Sequence, residues 1–126
     1  MAGVSRYRAQ KWLEDTFTNS TVYLALYSSN PGKENTGTEI SGGGYERLEI
    51  PMTEPYEDNG KDSVKLNETV FFPEATSDWG TVTHGAIFDS KTGGNMEWYG
   101  PLATSRDPKE GDEVVVRENE IVVTLN

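Results

Sequence analysis

Short apolar segments separated by turn-forming residues recur along almost the whole chain, and this rhythm limits the folds that it can adopt. The clearest segment is VYLALY at residues 22–27, where apolar side chains occupy both alternating sets of positions. A strand with two apolar faces is typical of the middle of a sheet that is covered on both sides. The polar loop NPGKENTGTEIS at 30–41 then ends the strand, because proline, glycine and asparagine favour turns.

Three consecutive glycines, Gly42 to Gly44, precede the segment YERLEIPM at 45–52. Polar and apolar positions alternate in this segment, and Pro51 favours the edge of a sheet. A phosphate-binding glycine loop opens a helix and carries either a Gly-Lys-Ser/Thr ending or GxGxxG spacing. This run opens a predicted strand and has neither pattern. We therefore interpret it as a corner or a bulge, at which another chain could approach closely.

The same pattern predicts strands in the rest of the chain. The triplet Asp58-Asn59-Gly60 suits a hairpin turn with positive φ. A further strand is predicted in SVKLNETVFF at 63–72. The segments WGTVTHGAIFDS and NMEWYG are predicted to form a hairpin around KTGG at 91–94. The last segment, DEVVVRENEIVVTLN at 112–126, is predicted to hold two strands joined near residues 118–120.

One helix is predicted at the N-terminus, over about residues 5–18. Ser5 is suited to the N-cap, and Asn19 and Ser20 to the end of the helix. The apolar residues at helical spacing are Ala9, Trp12, Leu13 and Phe17. Together, these patterns predict a mainly β fold, an antiparallel β-sandwich or flattened barrel of about seven to eight strands with one N-terminal helix, in a single domain over residues 1–126.

The charge and composition exclude several classes of function. The chain has a net charge of -10 and lacks cysteine. Binding to DNA, RNA or an anionic membrane surface depends on clustered lysine and arginine, so we expect neither nucleic acid nor a membrane as a partner. Without cysteine, a disulfide framework and a thiolate zinc site are both excluded. We also expect no signal peptide, because no N-terminal apolar run is long enough.

Candidate chemistry is sparse, and we predict no catalytic, cofactor-binding or metal-binding residue. His84 is the only histidine, and a packed or interface role suits it better than that of a general base, because no serine elbow or cysteine accompanies it. Asp58, Asn59 and Asp62 are calcium-like ligands without EF-hand spacing, so a hairpin turn is the simpler interpretation. A hydrolase with two carboxylates around His84 is an alternative for which the sequence identifies no pair.

Aromatic residues spread along the chain offer either stacking platforms for sugar rings or anchors at protein interfaces. In NMEWYG, Trp98 and Tyr99 point to opposite faces of the predicted strand, which favours one exposed ring. The wide spacing of the aromatic residues along the whole chain favours core and subunit contacts over a carbohydrate cleft. A stand-alone carbohydrate-binding module nevertheless stays open as a second class of function.

The order of the motifs resembles a family of small tailed-bacteriophage virion structural proteins of the tail fibre type. The resemblance spans nearly the whole chain, and its most specific parts are Gly37-Thr38-Glu39, Gly43-Gly44-Tyr45 with Arg47, Phe72-Pro73, Ala75-Thr76, Trp79 to His84, and Gly111-Asp112. It implies a non-enzymatic β-rich virion component that assembles symmetrically in several copies. The implied partners are other virion proteins and copies of the chain, for example in a trimer, with a host surface glycan as a further candidate.

The resemblance implies a location on the tail or the capsid exterior after synthesis in the host cytoplasm. A tail-associated component is the leading hypothesis, and a capsid decoration protein is the close alternative. We expect Trp12 and Phe17 to anchor the helix, and Trp79 and His84 to pack at a second corner. The structural and interface candidates are Trp12, Phe17, Gly43, Gly44, Tyr45, Arg47, Trp79, His84, Trp98 and Tyr99.

Overall fold

The structure is a computed structural model that describes residues 3–125. Its helix α1 spans Arg6–Leu13 and continues into a π-helical turn at Glu14–Thr18. The nine strands are β1 Val22–Tyr27, β2 Leu48–Ile50, β3 Tyr56–Asp58, β4 Lys61–Lys65, β5 Val70–Phe71, β6 Val82–Phe88, β7 Met96–Arg106, β8 Val115–Val116 and β9 Val122–Leu125. The predicted mainly β fold with one N-terminal helix is confirmed. The strand number rises to nine partly because the segment 63–72 forms two strands, β4 and β5.

The strands form three antiparallel sheets, in the orders β2-β1-β6-β7, β3-β4-β9 and β5-β8. Strand β1 lies between β2 and β6, in the central position that its two apolar faces predicted. Strand β2 lies at the edge, as Pro51 suggested. The predicted hairpin of β6 and β7 is also confirmed, with Ala86 opposite Tyr99.

The last two strands are adjacent in sequence but belong to different sheets. Strand β8 pairs with β5, and β9 pairs with β4. Between them the Glu120 amide donates to the Arg117 carbonyl, at 2.9 Å. The predicted turn near residues 118–120 therefore carries the chain from one sheet to another.

A single hydrophobic cluster is shared by the helix and all three sheets. It includes Leu13 from α1, Leu24 from β1, Val64 from β4, Ile87 from β6 and Val116 from β8, all of them buried. The sheets are layered around this common core, as a β-sandwich requires.

A second, smaller cluster covers the other face of the four-stranded sheet. It consists of Ala25, Tyr27, Ala86 and Phe88. Residues on the two faces of β1 therefore enter different clusters, which explains why this strand has no polar face.

The local signals at the helix and at the first hairpin act as predicted. The Ser5 hydroxyl accepts a hydrogen bond from the Arg8 amide at 3.2 Å and so caps α1. At the β3–β4 turn, Asn59 and Gly60 have φ values of 53° and 81°. This left-handed pair is the backbone that a two-residue hairpin needs.

Candidate functional site

The glycine run forms a sharp corner before β2. Gly42, Gly43 and Gly44 have φ values of 74°, 61° and 80°, all in the left-handed region that L side chains avoid. The Tyr45 amide donates to the Gly42 carbonyl at 3.0 Å and closes the turn. The predicted corner is thus a backbone conformation that only glycine adopts readily over three successive residues.

Within the chain, the close neighbour of this corner is Trp79, and the approach of another chain there stays a prediction. The Trp79 indole Nε1–H donates to the Gly43 carbonyl at 2.8 Å, and the Thr76 amide donates to the same oxygen at 2.9 Å. A Cβ atom added at Gly43 would lie 2.8 Å from both Trp79 Cδ1 and Ser77 Oγ. Glycine at 43 is therefore required by its φ and by the approach of Trp79.

Tyr45 follows the corner and packs into an aromatic group with Phe72 and Trp79. Its ring is stacked on Phe72 at a centroid distance of 6.3 Å and meets Trp79 edge to face at 5.5 Å. Such pairs add stability beyond the area that they bury. The aromatic group attaches the corner to the main hydrophobic cluster, of which Phe72 and Trp79 are members.

The Tyr45 hydroxyl bridges two other segments. It donates to Glu39 Oε2 at 2.7 Å and accepts from the Leu26 amide at 3.0 Å. Burial raises the pKa of Tyr45 far above its usual value of 10.0, and the hydrogen bond to Glu39 adds to this increase. The phenol therefore stays neutral and serves as a donor and acceptor between the loop at 39 and strand β1.

Arg47 completes a network that we call the Glu39–Tyr45–Arg47 network. Its guanidinium donates from Nε and Nη2 to the two oxygens of Glu39, both at 3.0 Å. Nη1 donates to the Ser90 carbonyl at 2.9 Å and to the Gly93 carbonyl at 2.8 Å. The charged group also lies 3.7 Å from the centroid of the Phe88 ring. One side chain thus connects the corner to the β6–β7 turn.

The arrangement of this network is suited to holding loops in place. A cleft of about 390 Å³ lies against it and is lined by residues that include Ile40, Gly42 and Lys91. The carboxylate, phenol and guanidinium that face this region already bond to one another or to backbone groups. Glu39 belongs to a specific part of the family resemblance but is not among the predicted site residues, because it stands in a polar loop and carries no local sign of a long-range partner.

A second group of predicted residues meets beside the helix. Phe17, Trp12, Trp98 and Leu125 line a cleft of about 300 Å³ between the helical segment, β7 and β9. Glu97 lies at the same cleft, and partial burial, together with the charge of Asp89, raises its pKa.

Trp12 does not anchor the helix in the core, contrary to the expectation. It is 48% exposed, whereas Leu13 and Phe17 are 3% and 5% exposed. The side chains of α1 that face the core lie at intervals of four residues, at Ala9 and Leu13. Trp12 lies about 100° around the helix from Leu13 and so faces outward.

His84 and Tyr99 lie on the four-stranded sheet, on the face opposite the main core. His84 is opposite Tyr27 on one side and Pro101 on the other, and its Nδ1 is 2.8 Å from the Thr83 hydroxyl. Trp79 belongs to the main cluster, so His84 and Trp79 do not share a corner as expected. Tyr99 packs on the second cluster, and its neighbour Trp98 packs on the first, so neither ring is fully exposed.

The calcium-like residues of the β3–β4 hairpin have other partners. Asp62 is buried, and its Oδ1 accepts from the Gln10 side chain at 3.1 Å and lies 3.2 Å from Arg6 Nε. Within residues 3–125, no group of three or more histidine, aspartate or glutamate side chains is placed to hold a metal ion. In this same part of the chain, no helix is long and apolar enough to cross a membrane.

The chain is thus an antiparallel β protein with one N-terminal helix, and its buried polar groups join its own loops. The model of a family described as podophage GP4 fiber I protein gp80 matches residues 3–124. The chain therefore belongs to this family of phage fibre proteins, and the resemblance to tail fibre-like virion proteins is confirmed. Among curated proteins, no match to the chain is found.

Proposed function

We propose that the chain, as one β domain, is a non-enzymatic structural subunit of a podophage tail fibre. The observation that carries this proposal is the family match, which extends over residues 3–124 and so includes every described strand except the last residue of β9. In the proposed role the protein acts by contacts with other virion proteins and with copies of itself, in a symmetric oligomer such as a trimer.

The geometry of the corner supports this role. The Glu39–Tyr45–Arg47 network joins four separate parts of the chain through hydrogen bonds of 2.7 to 3.0 Å. A subunit that transmits load along a fibre needs loops that keep their position when neighbours bind. Charge-assisted and bidentate bonds fix loops in this way more firmly than single neutral bonds.

Localisation on the particle tests the proposal directly. Antibody against the purified protein, coupled to gold, should label the fibres of intact virions, and the protein should co-purify with isolated tails. Labelling of the head surface alone would contradict the proposal. In that case the protein should bind preformed empty capsids that lack it and raise their resistance to heat, as a decoration protein does.

Contact with a host surface glycan stays a separate prediction. A glycan array probed with the purified protein tests it, and binding would add a receptor function to the structural one. An array without binding, together with unchanged infectivity of particles carrying His84→Ala, would remove both the carbohydrate-binding and the hydrolase alternatives.

A further inference from the structure

The outward face of α1 carries apolar side chains where a surface helix is normally polar. This face consists of Tyr7, Arg8, Lys11 and Trp12, in which Tyr7 and Lys11, and likewise Arg8 and Trp12, lie four residues apart. Tyr7 is 67% exposed and Trp12 is 48% exposed. Within residues 3–125, four large hydrophobic side chains are exposed, and three of them, Val4, Tyr7 and Trp12, belong to this segment.

Such a concentration indicates an interaction surface. The opposite stripe of the helix, Ala9 and Leu13, already supplies its contact with the core. Large parts of the two outward rings nevertheless stay exposed, and clustered exposed apolar groups mark sites of association.

The outward face of α1 is flanked by a cleft on each side. A cleft of about 380 Å³ lies between Tyr7, Lys11 and Pro55. The cleft of about 300 Å³ at Trp12 and Trp98 lies on the other side. Two projecting rings beside two clefts provide the complementary shape that a protein interface needs.

The charge of this face selects the kind of partner. Helix α1 has three of the 11 basic residues of the chain and no acidic residue, whereas the π-helical turn that follows it carries Glu14 and Asp15, and Glu54 lines the adjoining cleft. Arg6 turns inward to Glu57 and Asp62. Arg8 lies over the Tyr7 ring, 5.4 Å from its centroid, and Lys11 is 3.7 Å from Glu14. An outward face with Arg8 and Lys11 is complementary to an acidic surface.

Another copy of this chain presents such a surface in its loop DPKEGDE at 107–113, which we call the acidic loop. It holds four carboxylates in seven residues, and all its residues except Pro108 are exposed. Backbone bonds hold its shape, from the Gly111 amide to the Ala75 carbonyl at 2.7 Å and from the Ala75 amide to the Asp112 carbonyl at 2.8 Å.

The acidic loop and the outward face of α1 lie at opposite ends of strand β7. Trp98, near the start of β7, lines the cleft at Trp12, and the acidic loop begins directly after Arg106. The ends of the strand, Met96 and Arg106, pair with Phe88 and Val82, which are only six residues apart on β6, so about 20 Å separates them. The two surfaces of one copy therefore face different neighbours.

Resting on the proposed fibre function, we propose that the outward face of α1 in one copy docks onto the acidic loop of the next copy. Because the two surfaces differ, the contact is heterologous. Repeated contacts of this kind close into a ring, for example of three copies, or continue as a filament. Apolar contact of Tyr7 and Trp12 supplies affinity, and the charges set the orientation.

Charge reversal on each side tests the contact. The helix variant carries Arg8→Glu and Lys11→Glu, and the acidic-loop variant carries Glu110→Lys and Glu113→Lys. The control variant, Lys33→Glu with Lys91→Glu, has the same net charge as the helix variant but changes lysines elsewhere on the surface. Sedimentation equilibrium over a range of protein concentrations, in 50 mM and 500 mM salt, measures self-association, and circular dichroism verifies folding.

We expect wild-type protein to exceed 14.0 kDa in a concentration-dependent manner, with weaker association in high salt. Each reversed variant should associate at least tenfold more weakly than wild type, and the control should resemble wild type within threefold. Mixing the helix and acidic-loop variants should restore association, because each then meets an opposite charge. A chain that carries all four substitutions should associate again for the same reason.

A monomeric wild-type protein at all concentrations would overturn the proposal, as would a control variant as weak as the helix variant. Failure of the chain with all four substitutions to regain association would also overturn it, because that chain restores opposite charges at every contact, whereas the mixture restores only two of the three contacts in a ring of three copies. These results leave the fibre assignment intact if gold labelling still marks the fibres. Labelling restricted to the head, with charge-dependent association intact, would overturn the fibre assignment while the contact stands.

Discussion

Replacing Gly43 by alanine tests whether the corner is built around Trp79. At φ +61°, an alanine is in the left-handed region, which costs about 1–2 kcal/mol for an L residue. Its Cβ would also lie 2.8 Å from Trp79 Cδ1, closer than real contacts allow. Moving the buried indole costs about a further 1–3 kcal/mol. We therefore expect Gly43→Ala to lower the free energy of unfolding by about 3 kcal/mol.

Gly42 provides the matched control. Its φ is +74°, but a Cβ added there meets nothing within 4 Å. Gly42→Ala should therefore lose only the backbone contribution, about 1–2 kcal/mol. The difference between the two variants measures the steric effect of the close neighbours of Gly43, the Trp79 indole and the Ser77 hydroxyl.

Equilibrium unfolding in urea, followed by tryptophan fluorescence and by circular dichroism, measures both losses. In a background of Trp79→Ala the clash with the indole is removed and only the contact with the exposed Ser77 hydroxyl, which can rotate away, stays, so Gly43→Ala should then cost about as much as Gly42→Ala does. Equal losses for the two alanine variants in the wild-type background would refute the reasoning, because the close approach of the indole would then have no energetic consequence.

Three further substitutions probe the same region. Arg47→Met should lower the free energy of unfolding by about 2–3 kcal/mol, because Glu39 and two carbonyls lose their donor. The control Lys91→Met breaks an exposed pair with Glu46 at 3.5 Å and should cost less than about 1 kcal/mol. Equal losses of the two variants in urea unfolding would contradict this. Trp79→Phe should cost about 1 kcal/mol, since the Thr76 amide still bonds to the Gly43 carbonyl, and a loss above that of Trp79→Ala would be inconsistent. The folded-state pKa of Tyr45 is raised, so the contribution of this phenol to stability is complete below about pH 10 and falls as the pH rises further. Between about pH 8 and pH 11, the urea midpoint of Tyr45→Phe should therefore drop less steeply than that of the wild-type protein. An identical slope for the two proteins would refute this prediction.

Much of the fold could be predicted because its signals are local. Strand β1 shows its central position in six residues, since only a strand covered on both faces tolerates apolar side chains at every position. The hairpin at Asn59 and Gly60 is encoded by two residues that accept positive φ. Each of these features depends on neighbours in sequence, which a single chain displays directly.

The partners of the corner could not be predicted, because they lie far away in sequence. Trp79 is 36 positions from Gly43, and Arg47 reaches carbonyls at Ser90 and Gly93. Nothing local distinguishes Glu39 from the other acidic residues of a polar loop, although it holds both Tyr45 and Arg47. The divergence of β8 and β9 is similar, since their valines suit any antiparallel partner.

The error at Trp12 has a geometric cause. Helical spacing from Ala9 to Phe17 includes Trp12, because residues three apart lie only about 60° from alignment around the helix axis. An eight-residue helix that packs mainly along one strand, β4, buries a narrow stripe, however, and Leu13 occupies it. The pattern therefore identified the helix correctly but could not decide which of two adjacent apolar residues faces the core.

The glycine corner and the acidic loop are mechanically connected through Trp79. Its indole donates to the Gly43 carbonyl at 2.8 Å, while its backbone amide donates to the Pro108 carbonyl at 3.0 Å. Trp79 therefore contacts the glycine corner through its side chain and, through its backbone, the segment that presents the carboxylates of the acidic loop. If that loop docks on the helix of a neighbouring copy, the three glycines act on assembly as well as on folding, because they allow Trp79 to hold both segments at once. The rigidity of the acidic loop, which follows β7, would then fix the orientation in which the next subunit binds.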